Sequence, residues 1–125
     1  SVLIIEDDRD VGNVFKLALD MQGYRVTVVD NAASALNTLS TVSIDAIVMD
    51  LLLPDMDGFD LVRFLRRQPN TAKIPVLVVS GATAGYQMGK ALEAGADIFL
   101  GKPVAVEELM RAVKAMIAQN SPARA

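Results

Sequence analysis

The sequence predicts one α/β domain built on a doubly wound, five-stranded parallel sheet. Short apolar runs rich in β-branched residues alternate with longer segments whose apolar residues recur every three or four positions. Alternating strands and helices imply right-handed crossovers, and therefore a parallel sheet with helices on both faces. The length of 125 residues and the hydrophobic content of 52% are sufficient for a single domain with its own core.

Four apolar runs are predicted to be strands buried on both faces, because none of them contains a polar side chain. These runs are Val2–Ile5, Ala46–Met49, Val76–Val79 and Ile98–Leu100. The remaining strand, Tyr24–Val29, carries Arg25 and Thr27 and is predicted to lie at an edge of the sheet. An amphipathic second strand among five βα units favours the strand order 2-1-3-4-5, which is the flavodoxin-like (βα)₅ arrangement.

The first two helices follow from apolar spacing and from their end signals. One stripe with i, i+3, i+4 and i+7 spacing predicts the first helix and its buried face. Its residues are Val11, Val14, Phe15, Ala18 and Met21. Gly23 is predicted to end this helix. Asn31 is a suitable N-cap for the second helix, which continues through Leu36 and Leu39.

Three more helices complete the pattern. The third contains Leu61 and Leu65 with Phe64 between them, and it must end before Pro69. The fourth is predicted over Thr83–Ala94. The fifth is marked by Val106, Leu109, Val113, Met116 and Ile117, with Pro103 near its start and Glu107 and Glu108 in its first turn. The domain is therefore expected to span residues 1–119, and residues 120–125 are expected to form a flexible tail or the start of a linker.

The composition excludes several classes of function. The chain has no cysteine and no histidine, so a metal would have to be held by oxygen atoms, which favours Mg²⁺, with Mn²⁺ also possible. The formal charge is −3 and there is no basic patch, so direct nucleic-acid binding by this domain is not expected. The chain also lacks a run of about 20 apolar residues or a signal peptide, and a cytoplasmic location without membrane association is expected.

Chemically useful side chains lie where the predicted strands end. Glu6 and Asp7 follow the first strand, Asp50 follows the third, Ser80 ends the fourth, and Lys102 follows the fifth. In an open parallel sheet these ends share one edge, where ligands bind. The carboxylates would repel one another without a cation, so the pattern predicts a divalent-metal site.

The same cluster suits phosphoryl transfer. Asp50 could act as a carboxylate nucleophile that forms an acyl phosphate, while a metal, Lys102 and Ser80 neutralise the developing negative charge. Each residue alone has an ordinary structural explanation, such as a turn or a helix cap; Asp8, for example, is expected to cap the first helix. It is the convergence of four strand ends that favours a functional site.

These residues lie in stretches that closely resemble the receiver domain of two-component response regulators, the CheY-like family. The matching stretches are Val2-Leu3-Ile4-Ile5-Glu6-Asp7-Asp8, Met49-Asp50-Leu51-Leu52-Leu53-Pro54-Asp55-Met56-Asp57-Gly58, Val78-Val79-Ser80-Gly81, Ala91-Leu92-Glu93-Ala94-Gly95-Ala96-Asp97 and Leu100-Gly101-Lys102-Pro103. The resemblance implies that Asp50 is the phosphoacceptor and that Lys102 and Ser80 contact the phosphoryl oxygens.

Further expectations come from the resemblance alone. The Mg²⁺ ligands would be Glu6, Asp7, Asp50 and the backbone carbonyl of Leu52, and the Lys102–Pro103 bond would be cis. Ser80 and Phe99 would form the switch, whose change reaches the face of the fourth helix and fifth strand. The phosphoryl donor would be a phosphohistidine on a sensor histidine kinase or a histidine phosphotransfer protein. A homodimer through helix 4, strand 5 and helix 5 is also possible for such a domain.

Two other functions are compatible with parts of the pattern. One is a receiver-like module that mediates contacts without being phosphorylated. The other is a phosphatase with an aspartate nucleophile, but such an enzyme needs a second acid two positions after the nucleophile, where this chain has Leu52. We therefore expect a domain that assists its own phosphorylation and dephosphorylation and turns over no separate substrate.

Overall fold

A computed structural model describes residues 1–81 and 84–119 of the chain. The strands are β1 (Val2–Ile5), β2 (Val26–Val29), β3 (Ala46–Met49), β4 (Val76–Ser80) and β5 (Ile98–Gly101). The helices are α1 (Arg9–Met21), α2 (Ala32–Thr41), α3 (Gly58–Arg67), α4 (Ala84–Ala94) and α5 (Val106–Gln119). The predicted tail, residues 120–125, and Thr83, the predicted first residue of α4, lie outside the described residues.

The strands form one parallel sheet in the order β2-β1-β3-β4-β5, which confirms the predicted topology. Ile5, the last residue of β1, pairs with Val29 of β2 and with Met49 of β3. Met49 pairs in turn with Val78 of β4. The central strands therefore end in register, and the residues that follow β1 and β3 are brought side by side at one edge of the sheet.

Helices cover both faces of the sheet, so that the core has two layers. On one face, side chains of α2, α3 and α4 pack on alternate residues of the strands, such as Ile5 and Met49. On the other face, α1 and α5 pack on the intervening residues, such as Ile4 and Val48. Burial on both faces explains the continuous apolar runs of β1, β3 and the first four residues of β4, as predicted; β4 continues by one residue, to the buried Ser80.

The two outer strands differ from the sequence prediction in detail. β2 lies at an edge, as predicted, but it begins at Val26 rather than at Tyr24. β5 was predicted to be buried on both faces, and this is wrong, because three of its residues are only partly buried and Gly101 is exposed. The reason is its position at the other edge of the sheet, where only β4 covers it laterally.

The buried face of α1 is also different from the predicted stripe. Phe15 and Ala18 are buried as predicted, together with Gly12 and Leu19. The prediction was wrong for Val14 and Met21, whose exposed fractions are 51% and 77%. The helix packs against the sheet and α5 through a face centred on Phe15 and Leu19. In this orientation Val14 and Met21, at the edge of the predicted stripe, face solvent.

Helix ends follow the predicted signals in most cases. Asp8 caps α1 by accepting from the amides of Asp10 and Val11, and Asn31 caps α2 by accepting from the amide of Ser34. The end of α3 at Arg67 precedes Pro69 as predicted. The Lys102–Pro103 bond is cis, as the resemblance implied, and α5 begins three residues after the proline, at Val106.

None of these helices has the length and hydropathy needed to cross a membrane.

Candidate functional site

Three carboxylates meet at the edge of the sheet where β1 and β3 end. Glu6 and Asp7 follow β1, Asp50 follows β3, and oxygen atoms from all three lie within 4.8 Å of one another. Glu6 and Asp50 are only 3% and 7% exposed, whereas Asp7 is exposed to solvent. The predicted acidic cluster is therefore present, with two buried members and one that solvent can reach.

Lys102 reaches this cluster from the segment that follows β5. Its Nζ donates to Asp50 Oδ2 at 2.7 Å and to Glu6 Oε1 at 2.8 Å. Desolvation by itself would lower the pKa of Lys102, but the hydrogen bonds to Asp50 and Glu6 outweigh it and raise this pKa above its usual value. The lysine is therefore firmly protonated and offsets part of the negative charge of the cluster.

The environment of Glu6, in the same cluster, disfavours the ionised form of its carboxyl group. Burial raises the pKa of its carboxyl group above the ordinary value, although hydrogen bonds from Lys102 and from the amide of Asp8 oppose this change. The amide of Asp8 donates to Glu6 Oε2 at 3.2 Å, so both oxygens of Glu6 are held. The ionised form of a buried carboxylate that lies beside two other acids is stabilised when a further cation binds next to it.

The donor set fits a hard divalent ion. The three side chains offer only carboxylate oxygens, and oxygen ligands in small number are what Mg²⁺ prefers, since it keeps several of its waters. Glu6, Asp7 and Asp50 are thus the residues that could hold the ion. The fourth predicted ligand, the carbonyl of Leu52, stays a prediction. The amide of Leu52 donates to Asp50 Oδ1 at 3.0 Å, so this residue lies directly beside the cluster.

Ser80 is at the site by its backbone, but its hydroxyl is directed elsewhere. The amide of Lys102 donates to the carbonyl of Ser80 at 2.8 Å, so the two residues are neighbours. The Ser80 hydroxyl, 1% exposed, donates to Oε1 of Gln87 on α4 at 3.0 Å. Phe99 is partly buried, pairs with Val78 of β4, and packs against the core between the sheet and α2, α3 and α4.

Sequence reasoning did not identify Gln87 as part of this region. Its contact with Ser80 spans only seven residues, but it depends on the angle at which α4 returns to the sheet. A polar residue one turn into a helix that follows a strand-end hydroxyl is the signal that could have indicated it.

Asp55 is a second residue that sequence reasoning missed. Its carboxylate accepts from the amides of Ala32 and Ala33, at 2.8 and 3.0 Å, and so it ties the loop between β3 and α3 to the first turn of α2. These two hydrogen bonds lower the pKa of Asp55 below its usual range. The loop that is tied in this way includes Leu52, which lies beside Asp50.

Two cavities flank the site. One, of about 430 Å³, is polar and includes Glu6, Asp7 and Arg9 in its lining. The other, of about 470 Å³, is mainly apolar and lies between Val14 of α1 and the segment from Lys102 to Val104. A partner that approaches Asp50 along α1 would therefore meet apolar surface next to the lysine.

Comparison with known proteins gives a consistent family match. Residues 2–114 match the family model of the response regulator receiver domain. Among curated proteins, the chain is 32% identical over 121 residues to the response regulator MprA of a Mycobacterium species, covering 97% of this chain and 52% of that protein. The chain thus spans about half the length of the curated relatives it matches.

Solved structures of similar fold come from the same family. The receiver domain of a signal transduction histidine kinase from Syntrophus aciditrophicus matches with a TM-score of 0.89 and 33% identity, over 97% of this chain and 92% of that one. The receiver domain of a sensor histidine kinase from Pseudomonas aeruginosa matches with a TM-score of 0.85 and 31% identity, over 94% and 96% of the two chains. That structure has a magnesium ion coordinated in its active-site cleft.

Proposed function

Because this chain belongs to the response regulator receiver domains, the signalling domains of two-component systems, we propose that it is a switch in which Asp50 accepts a phosphoryl group. The observation that carries the proposal is the environment of the Asp50 carboxylate. It is almost fully buried, yet it lies at the rim of the sheet, with Lys102 on one of its oxygens and two further acids beside it.

The proposed reaction is a displacement at phosphorus. A carboxylate oxygen of Asp50 attacks the phosphorus of a phosphohistidine, the P–O bond forms, and the P–N bond breaks. The imidazole of the partner leaves with the electron pair and takes up a proton. The product on this chain is an acyl phosphate, which can later be hydrolysed, so the domain assists its own phosphorylation and dephosphorylation.

Lys102 has the capacity to serve both the resting and the reacting site. An ammonium group has three N–H donors, so it can hold Glu6 and Asp50 and still donate to a phosphoryl oxygen. Negative charge grows on those oxygens during transfer, and a preformed ammonium stabilises it without reorganisation. Its pKa is raised above an ordinary value of 10.5 that already lies far above neutral pH, so the group is charged in both states.

Glu6, Asp7 and Asp50, with the carbonyl of Leu52, are the proposed Mg²⁺ ligands, and Mn²⁺ would suit the same oxygens. When bound, the ion supplies positive charge that neutralises the phosphoryl oxygens. The magnesium ion in the similar Pseudomonas receiver domain supports this proposal. The contribution of this chain is to hold two of the acids buried and fixed, so that little ordering is needed on binding.

Phosphorylation is proposed to act through Ser80 and Phe99 on the face formed by α4 and β5. Ser80 ends β4, and its residue pair across the sheet is Gly101 of β5, two residues from Phe99. A change at the Ser80 side chain therefore has a short path to that face. The acyl phosphate would shift an equilibrium between two arrangements of this region by its different contacts with them.

The proposed phosphoryl donor is a sensor histidine kinase or a histidine phosphotransfer protein, because receiver domains interact with sensor histidine kinases. The apolar cavity beside Lys102, with the exposed side chains of Val14 and Leu17 on α1, offers such a partner a docking surface next to Asp50. Transfer would occur in the cytoplasm, where the family usually acts. Direct binding of nucleic acid is not proposed for this domain.

Two features of the wider protein stay predictions. The receiver domain is proposed to occupy residues 1–119. A homodimer through α4, β5 and α5 is also proposed, and the exposed side chains of Met88 and Leu92 on α4 support it.

The test is to incubate the domain with acetyl phosphate and Mg²⁺ and to measure its intact mass. We expect one added phosphoryl group that hydroxylamine removes, as it does from an acyl phosphate. Asp50→Asn should abolish the addition, whereas Asp60→Asn, which changes an exposed acid on α3, should not. A wild-type domain that gains no mass would identify the chain as a contact module that is not phosphorylated.

A further inference from the structure

The hydrogen bond between Ser80 and Gln87 connects the strand end at the site to α4. The Ser80 hydroxyl is 1% exposed and donates to Oε1 of Gln87 at 3.0 Å. Both groups are neutral, and the bond joins the last residue of β4 to the first half of α4. Because water is excluded from Ser80, this bond cannot be exchanged for a hydrogen bond to bulk solvent without moving the side chain.

A serine hydroxyl has only one proton to donate. In the structure that proton is used by Gln87. The Ser80 backbone is held in place by its strand pairing and by the amide of Lys102, so the hydroxyl can change partner only by rotation of its own side chain. A phosphoryl oxygen on Asp50 and the Gln87 amide oxygen would thus compete for the same proton.

We propose that Gln87 is a positioning residue of the switch: its amide oxygen holds the Ser80 hydroxyl toward α4 and opposes the phosphorylated arrangement. This inference rests on the proposed function, in which Ser80 donates to the phosphoryl group. A hydrogen bond to a charged oxygen is roughly twice as strong as one between neutral groups, so the Ser80 hydroxyl donates to the phosphoryl group when it is present. The free energy gained is reduced by the loss of the hydrogen bond to Gln87.

The consequence is a direct link from Asp50 to α4. When the phosphoryl group takes the Ser80 proton, Gln87 loses its donor, and the tie between α4 and β4 is released. Phe99 has no hydroxyl and cannot carry a hydrogen-bonded signal; it packs against apolar residues of the core. Gln87 supplies the polar part of the coupling that the aromatic side chain lacks.

A double-mutant cycle with a phosphoryl mimic tests this link. Beryllofluoride with Mg²⁺ is titrated into the wild-type domain, Gln87→Leu, Ser80→Ala and the double variant, and binding is followed by NMR. We expect Gln87→Leu to tighten binding about two- to tenfold, which corresponds to the net worth of one neutral hydrogen bond. In the Ser80→Ala background the same change should have no effect, because there is no hydroxyl to release.

Two further variants exclude a general loosening of α4. Gln87→Ala removes the same acceptor with a smaller side chain and should also tighten binding. Glu93→Ala truncates another exposed side chain of α4 and should leave the affinity unchanged. Equal affinity of Gln87→Leu and wild type, equal tightening in both Ser80 backgrounds, or tightening by Glu93→Ala would each overturn the role of Gln87. A wild-type domain that binds no beryllofluoride would instead overturn the proposed function itself, and this inference with it.

Discussion

Asp55 illustrates how a single exposed side chain can organise the rim of the sheet. Its two oxygens take up the first two amides of α2, while Asn31 takes up the amide of Ser34. The positive end of the α2 dipole and the unpaired amides both favour a negative charge at this point. The carboxylate thereby fixes the loop that contains Leu52. Because Asp55 itself stays exposed, no charged group has to be buried to do so.

The lowered pKa of Asp55 predicts how stability depends on pH. The folded state favours the ionised carboxylate, so its contribution is present above the usual pKa of 3.8 and is lost as pH falls through the lower folded value. Asp55→Ala should lower the urea midpoint at pH 7, and its deficit relative to wild type should shrink below about pH 4. Asp55→Asn, which keeps an oxygen acceptor but no charge, should lose less at pH 7. A deficit that is the same at pH 3 and pH 7 would contradict the assignment.

Gly58, at the start of α3, is required by a close backbone approach. A Cβ atom at this position would lie 2.5 Å from the Cα of Leu51 and 2.6 Å from its carbonyl oxygen. The amide of Gly58 also donates to that carbonyl at 3.0 Å, so the two segments cannot easily separate. Because Leu51 is the residue after Asp50, strain here would reach the site.

Gly58→Ala should therefore destabilise the domain by roughly 1–3 kcal/mol, as overpacking does. The matched control is Gly89→Ala in α4, where an added Cβ would meet no atom within 4 Å. That change should stabilise by about 0.8–1 kcal/mol through helix propensity alone. Chemical denaturation of both variants measures the two effects, and the same sign for both would contradict the prediction.

At the scale of elements, α1 has one face in the core and one apolar face in solvent. Val14, Leu17 and Met21 follow one another at i, i+3 and i+7 and are 51%, 63% and 77% exposed. This row begins beside the apolar cavity at Lys102 and runs along the helix away from it. An exposed apolar row of this kind on a small domain usually marks a surface for a partner.

Val14→Arg should separate docking from chemistry. A charged side chain at this point should slow phosphoryl transfer from a protein donor by roughly tenfold or more, because burial of an apolar side chain of this size is worth about 1.5–3 kcal/mol. Phosphorylation by acetyl phosphate, which needs no docking surface, should be unchanged. Val42→Arg replaces an exposed valine after α2 and serves as the control. An equal loss with both donors would place the effect in the site and not in docking.

At the scale of the whole molecule, the charge of the acidic cluster is partly balanced by a residue that is distant in the sequence. Lys102 and Glu6 are 96 residues apart, and their ion pair joins the segments after β5 and β1 across the sheet. One ammonium neutralises only part of a cluster of three acids. Binding of Mg²⁺ to the native state, and not to the unfolded chain, should therefore stabilise the domain.

The expected gain is about 1.4 kcal/mol at a Mg²⁺ concentration roughly ten times Kd. This corresponds to an increase in Tm of a few degrees for a domain of this size, which differential scanning calorimetry can measure. Asp7→Ala, which removes the exposed acid of the cluster, should abolish the increase. Asp20→Ala, in an exposed ion pair with Lys16 on α1, should retain it. An increase that survives Asp7→Ala would mean that Mg²⁺ acts elsewhere.

The fold, the strand order and the residues that meet at the rim could all be predicted from the amino-acid sequence. These follow from local properties, since a buried strand is an unbroken apolar run and the residue after it must emerge at the carboxyl edge. Asp50 could be located in this way without any contact being known, as could Glu6 and Asp7. The caps at Asp8 and Asn31 are local for the same reason.

The partners of individual side chains could not be predicted, because they depend on how the helices and loops pack. The proton of Ser80 goes to Gln87, the oxygens of Asp55 go to α2, and Val14 lies in solvent although its spacing fits a buried stripe. The reason is geometric. Periodicity tells which residues share a face, but the rotation of a helix on the sheet and the return angle of a loop depend on packing between segments far apart in the chain.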